Sequence, residues 1–145
     1  VSIASINAWH QAARPAPTEA DLRVQIGVHV EEVAEFLDSL IGLNPDGATA
    51  LTGARALMHQ LADRIKSGEY EVTIGNRKEA LDAICDQIVT AVGVAHCAGM
   101  RIEDALVEVD RSNWSKFVDG KPVRDARGKV AKGQYYSKPN LKGLF

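Results

Sequence analysis

Apolar positions recur every three to four residues over most of the first 117 positions, the spacing of helices that bury one face. A first segment covers residues 3–13 and stops before Arg14-Pro15-Ala16-Pro17, because proline cannot continue a helix and pushes the preceding residue out of helical backbone. A second starts at Thr18, a hydroxyl N-cap with Glu19 and Asp21 in the first turn, and is expected to reach Leu43, before Asn44-Pro45-Asp46-Gly47. A third is expected over 48–66, ended by Lys66-Ser67-Gly68. The fourth starts at Asn76, with Glu79 three residues on as in a capping box, and runs to Cys97, where Gly99 suits the C-terminal cap. The fifth covers 102–117. From Val118 onward Gly, Pro and Lys recur without a helical period, so 118–145 is expected to be ordered but irregular. Alternating β-branched runs are scarce. The pattern predicts one all-α domain over 1–145, a helical bundle of four to five helices (core about 3–117) with an irregular basic C-terminal tail.

The faces of two segments carry the chemistry. On a wheel of about 100° per residue, Leu22, Ile26, Val30, Val33, Leu37, Leu40 and Ile41 share one arc of segment 2 and are expected to face the core. The acids of Glu31-Glu32-Val33-Ala34-Glu35 flank that arc: Glu32 lies about 80° from its nearer edge, and Glu35 follows one turn on. A solvated acidic face explains such a stretch when it stands alone. Segment 4 is apolar nearly all round, the mark of a buried central helix. Cys85, Cys97 and His96 are therefore expected inside, and Asp86, Gln87 and His96 argue against a membrane span. Glu79, Asp82 and Asp86 fall within about 60° of one another. Acids on a buried helix need cations, since desolvating a lone charge is costly. Basic residues are scarce in the helical part, so a hard divalent ion, Mg²⁺ or Mn²⁺, is a natural partner for carboxylates on two helices. The helix dipole by itself also favours acids in the first turns of segment 4.

Composition adds one thing. The chain has 145 residues, 46% of them hydrophobic and 25% charged, as in ordinary globular domains, and a formal net charge of −2. That total argues against a dedicated nucleic-acid binder, but it conceals a split. Residues 1–110 carry 8 basic against 17 acidic side chains, and residues 111–145 carry 9 against 2. Two cysteines make neither a disulfide framework nor a four-ligand zinc site. With no secretory pattern in VSIASINAWHQ, a reducing, cytoplasmic setting is expected.

The acidic stretches, with three further elements, resemble the MazG-like all-α nucleoside-triphosphate pyrophosphohydrolases. Members carry ExxE on one helix and ExxD on a later one. Glu32-Val33-Ala34-Glu35 matches the first, preceded by Glu31. Glu79-Ala80-Leu81-Asp82 matches the second literally. The family Asp usually stands seven residues before a helix Gly, which selects Asp86 before Gly93. Asp82 belongs in either frame, and Glu79 and Asp86 compete for the other place. Trp9-His10 is similar to an aromatic-His pair near the family N-terminus. Arg111-Ser112-Asn113-Trp114-Ser115-Lys116 is similar to its R-x-N-x-S-K stretch, and Gly128 to Pro139 to its G-K-V-x-K-G-x-x-Y-x-x-P tail.

The resemblance implies Mg²⁺-dependent hydrolysis of a (deoxy)nucleoside triphosphate at the α-phosphorus, giving the monophosphate and pyrophosphate. It implies Glu32, Glu35, Asp82 and Asp86 as metal ligands, with Glu31 a further ligand or the group that orients the attacking water. It implies phosphate or sugar contacts from Asn113, Lys116, Lys129, Lys132 and either Tyr135 or Tyr136, and a homodimer or higher homo-oligomer. No membrane or nucleic-acid partner is expected. Phosphoribosyl-ATP pyrophosphohydrolase chemistry, and a non-catalytic helical module that binds nucleotide or protein, are the alternatives. The tail then has a substrate task, and the helices are expected to fold without it.

Overall fold

The computed structural model describes residues 2–145. The chain is all-α, with five helices and, among the described residues, one two-stranded sheet. The helices are α1 (Ile3–Ala13), α2 (Glu19–Asp38), α3 (Pro45–Ser67), α4 (Arg77–Cys97) and α5 (Ile102–Trp114); the strands are β1 (Phe117–Val118) and β2 (Lys121–Pro122). It divides into two compact units: Pro17–Thr73 with Asp125–Lys129, and Val1–Ala16 with Ile74–Arg124 and Val130–Phe145.

In the first unit α2 starts where its cap predicts. Thr18 and Asp21 form a reciprocal capping box. It ends at Asp38, earlier than the expected Leu43. The Arg55 side chain, reaching from α3, donates at 2.9 Å to the carbonyl of Leu37, which also accepts the Leu40 N–H at 3.2 Å, and to the carbonyl of Leu40 just past the end of α2. α3 starts at Pro45, not at 48. Asn44 is its N-cap, accepting the Gly47 N–H at 2.7 Å, and Pro45 sits in the first turn, where its missing N–H costs nothing. What reads as a linker is thus a helix start. Gly68 closes α3 in the left-handed conformation, φ 85°.

The buried line on α2 is Val24, Gly27 and Ala34, and on α3 it is Ala62, Ile65 and Lys66. The larger apolar arc expected to face the core is mostly half-buried, and Val33 and Ile41 are exposed. Small residues explain this. A Cβ placed on Gly27 would lie 2.6 Å from Lys66 Cγ and 3.1 Å from the Ala62 carbonyl oxygen and the Lys66 backbone nitrogen. The two backbones meet at Gly27, and the bulkier residues are left to either side. Gly27→Ala should therefore destabilise this unit. Overpacking costs about 1–3 kcal/mol, more than the roughly 1 kcal/mol by which alanine favours helix over glycine. A lowered urea midpoint would show it.

In the second unit Trp9, Ala13, Phe117 and Val130 form the buried cluster. The tail opens with more order than expected. Asp119 (φ 51°) and Gly120 (φ 73°) turn β1 onto β2, pairing Phe117 with Pro122 and Val118 with Lys121. An Asp-Gly pair with both residues at positive φ is the two-residue hairpin turn whose twist suits paired strands. Further on the tail is pinned to α5: the Ser137 N–H donates to Ser115 Oγ at 2.9 Å, Arg111 to the Lys138 carbonyl at 2.9 Å, and the Asn140 N–H to Glu108 at 3.0 Å. Val130 belongs to the cluster around Trp9, so the tail supplies part of the cover of that cluster.

α4 departs furthest from expectation. Of its residues only Ala95 is buried, while Leu81, Ile84, Ile88, Val89, Val92 and Val94 are all exposed. Cys85 and Cys97 are exposed thiols, not core residues, and His96 is exposed as well. The apolarity of this helix is real, but within the single chain almost nothing covers it.

Candidate functional site

The carboxylate of Glu31 is the centre of a charged cluster. Glu31 stands one turn beyond Gly27 on α2, on the face that meets α3. Each of its oxygens takes one ammonium: Oε1 accepts from Lys66 Nζ at 2.7 Å and Oε2 from Lys129 Nζ at 2.6 Å. Lys66, 6% exposed, also pairs with Asp63 at 3.2 Å, and Arg127 lies 3.8 Å from the same Asp63 oxygen. Lys129 comes from the tip of a turn. There Asp125 Oδ1 accepts the backbone N–H groups of Arg127 at 2.9 Å and Lys129 at 3.0 Å, and Gly128 takes φ 80°. An open cleft of about 380 Å³ is lined by these groups.

Burial acts to raise the Glu31 carboxyl, but hydrogen bonds from Lys129 and Lys66 outweigh it and hold the group below its ordinary value. Burial acts to lower Lys66, and its bonds to Glu31 and Asp63 reverse that, so its ammonium is held above the ordinary value. A depressed acid contributes stability above its unfolded value, about 4.5, and loses it as pH falls through the folded value. A raised base contributes below about 10.5 and loses its share as pH rises further. The cluster is thus fully formed between those limits. Glu31→Gln should make stability less steep in pH below about 4.5, read from urea midpoints across an acid series.

The other candidate residues divide between the units. Glu32 and Glu35 lie on α2, exposed and one turn apart; Asp82 and Asp86 lie on α4, also exposed and one turn apart. Among the described residues no three acidic, His or Cys side chains converge as a metal group would require. The donor chemistry nevertheless fits a hard cation, since both pairs offer only oxygen and both face solvent. In the α1-containing unit Asn113 Oδ1 accepts from Lys116 Nζ at 2.8 Å, and that ammonium lies 6.0 Å from the Trp9 ring centre. Lys132 stands 5.0 Å above the Tyr136 ring, and Tyr135 is exposed. Trp9 packs against His10 and Phe117, so it is a core anchor here, and its buried indole N–H has no hydrogen-bond partner among the described residues.

Sequence reasoning singled out Glu31 and Lys129 but missed Lys66, Asp63 and Arg127. A signal for Lys66 was present. At four residues past Ala62 it falls about 40° away on the wheel, inside the buried line of α3. A cation on that line implies an acid opposite it. Nothing local signals Arg127 or Asp63, whose relation depends on where the turn lands. No protein-family model matches this chain, and no curated protein or solved structure is significantly similar to it.

Proposed function

We propose that this protein is a Mg²⁺-dependent pyrophosphohydrolase that converts a (deoxy)nucleoside triphosphate to the monophosphate and pyrophosphate. The observation that carries the reading is the pairing of Glu31, first acid of the Glu31-Glu32-x-x-Glu35 stretch, with Lys129 from the basic tail at 2.6 Å. A helix of hard oxygen donors and a lysine suited to phosphate are held in one compact unit. Glu32, Glu35, Asp82 and Asp86 are the carboxylates that would hold Mg²⁺. When bound, the ion supplies charge neutralisation on the phosphates and a lowered pKa for water. Lys129, Lys132 and Lys116 meet phosphate oxygens through charge-assisted hydrogen bonds. Asn113 and Tyr135 offer neutral hydrogen bonds to phosphate or sugar. Glu31 is a further ligand or orients the attacking water. No protein nucleophile enters this scheme.

The uncovered apolar surface of α4 supports the oligomer in this proposal, a homodimer that covers the helix. A panel of nucleoside and deoxynucleoside triphosphates, incubated with Mg²⁺ or with EDTA, tests the activity. Monophosphate and pyrophosphate should appear with Mg²⁺ only. No turnover of any member would remove the enzyme reading, and release of orthophosphate would contradict attack at the α-phosphorus.

A further inference from the structure

We infer that the cleft around Glu31 is an anion site occupied by the protein's own carboxylate, and that it takes the terminal phosphates of a polyphosphate on Lys66, Lys129 and Arg127. This deepens the proposed function, on which the identity of the polyphosphate rests. Lys66 and Lys129 each hold a separate oxygen of one carboxylate, at 2.7 and 2.6 Å, the arrangement that two oxygens of a phosphoryl group also satisfy. Glu31 thus stands in for such a group.

Three features favour a phosphoryl occupant over the carboxylate now present. Glu31 brings two oxygens and one charge, and both oxygens are used. A terminal phosphoryl group brings three oxygens and more charge, enough to engage a third cation. Arg127 is that cation. It stands at the cleft with a long 3.8 Å contact to Asp63, and its guanidinium fork suits phosphate. Lys66 is almost wholly buried and must always keep an anion beside it. Asp63 provides one contact while the exchange occurs, so the ammonium is never left alone. Lys129 is 38% exposed on its turn, so the cleft can be entered from its side.

The exchange forms and breaks no covalent bond. The phosphoryl oxygens take the two ammonium groups, and the Glu31 carboxylate, released from both, becomes free to accept a hydrogen bond from water. The acid assigned to water in the proposed function is therefore masked until the polyphosphate arrives.

Pyrophosphate titrated into the full chain by calorimetry, in EDTA and at low salt, tests this without metal or turnover. Arg127→Gln and Lys66→Met should each weaken binding roughly tenfold or more, as expected for loss of a charged hydrogen bond. Glu31→Gln should tighten it several-fold, because the internal competitor has lost its charge. Weaker or unchanged binding in Glu31→Gln overturns the self-occupied site. Unchanged binding in Arg127→Gln, an exposed position that folding tolerates, overturns the cleft as the place of binding even if Lys66→Met fails to fold. A nucleoside monophosphate that binds as tightly as pyrophosphate contradicts the assignment to terminal phosphates. If triphosphates are hydrolysed but the Glu31→Gln sign is wrong, only this inference falls. If the binding pattern holds and no triphosphate is turned over, only the proposed function falls.

Discussion

Glu35→Gln should reduce triphosphate turnover by roughly a hundredfold or more while the protein keeps its helical content and its melting temperature. The size is that of removing one charged group that stabilises the transition state, typically on the order of 10²–10³ in rate. The selectivity follows from placement. Glu35 is exposed on α2, off the Val24–Gly27–Ala34 line that packs on α3, so replacing its carboxylate with an amide of equal shape disturbs no contact of the fold. Pyrophosphate release under saturating Mg²⁺, measured beside a thermal melt, checks both halves. Full activity in the variant would remove Glu35 from the ligand set. The same comparison applied to Asp86→Asn and Glu79→Gln decides which of the two acts with Asp82, since all three are exposed on α4. The partner of Asp82 should show the larger loss.

The second large effect concerns α4. The purified chain should run at twice its 15.7 kDa in light scattering, and Val89→Asp should drive it to monomer. Val89 is 68% exposed and Leu81 64%, on a helix whose apolar side chains continue through Ile84, Ile88 and Val92. Placing a carboxylate in an apolar contact costs several kcal/mol even after relaxation, and each 1.4 kcal/mol weakens association tenfold. By length and composition alone Arg77–Cys97 would also suffice to cross a membrane. A second copy is the better occupant because Asp82 and Asp86 lie on the helix, and a carboxylate deep in hydrocarbon costs about 2.5–3.5 kcal/mol. Wild-type protein that stays monomeric, or that sediments with neutral lipid vesicles, would overturn the dimer.

Local signals were legible and tertiary ones were not. Ser2, Thr18, Asn44 and Asn76 cap helices through side-chain bonds to N–H groups two or three residues away, so a start can be read within one turn of chain. Two of these helices, and α5, nevertheless differ in length from the hydrophobic pattern. α2 stops early where an arginine 17 residues past its end, Arg55, bonds the Leu37 carbonyl of its last turn and the Leu40 carbonyl beyond it. α3 begins early because Asn44-Pro45 was read as a break when it is a cap followed by a first turn. α5 stops at Trp114 because Phe117 is drawn into a hairpin and the Trp9 cluster. The Asp119-Gly120 turn itself was readable from its two residues.

Of the candidate site, the acids on α2 and α4 and the lysines of the tail were legible as residue types at fixed spacing. Their partners were not. Lys129 reaches Glu31 across 98 positions of sequence, and no local rule spans that distance.

What the sequence by itself determined is the five helices, the caps at Thr18 and Asn76 and the faces that carry acid, because backbone hydrogen bonding and helical period act over three or four residues. What only the tertiary structure decided is which of those faces are covered. Gly27 lets α3 approach so closely that small residues and Lys66 become the interior of that unit, and α4, apolar on nearly every side, is left open. Apolar periodicity states that a face can be buried at a favourable free energy. Close approach between backbones, which depends on volume at single positions far apart in the chain, selects the face that is.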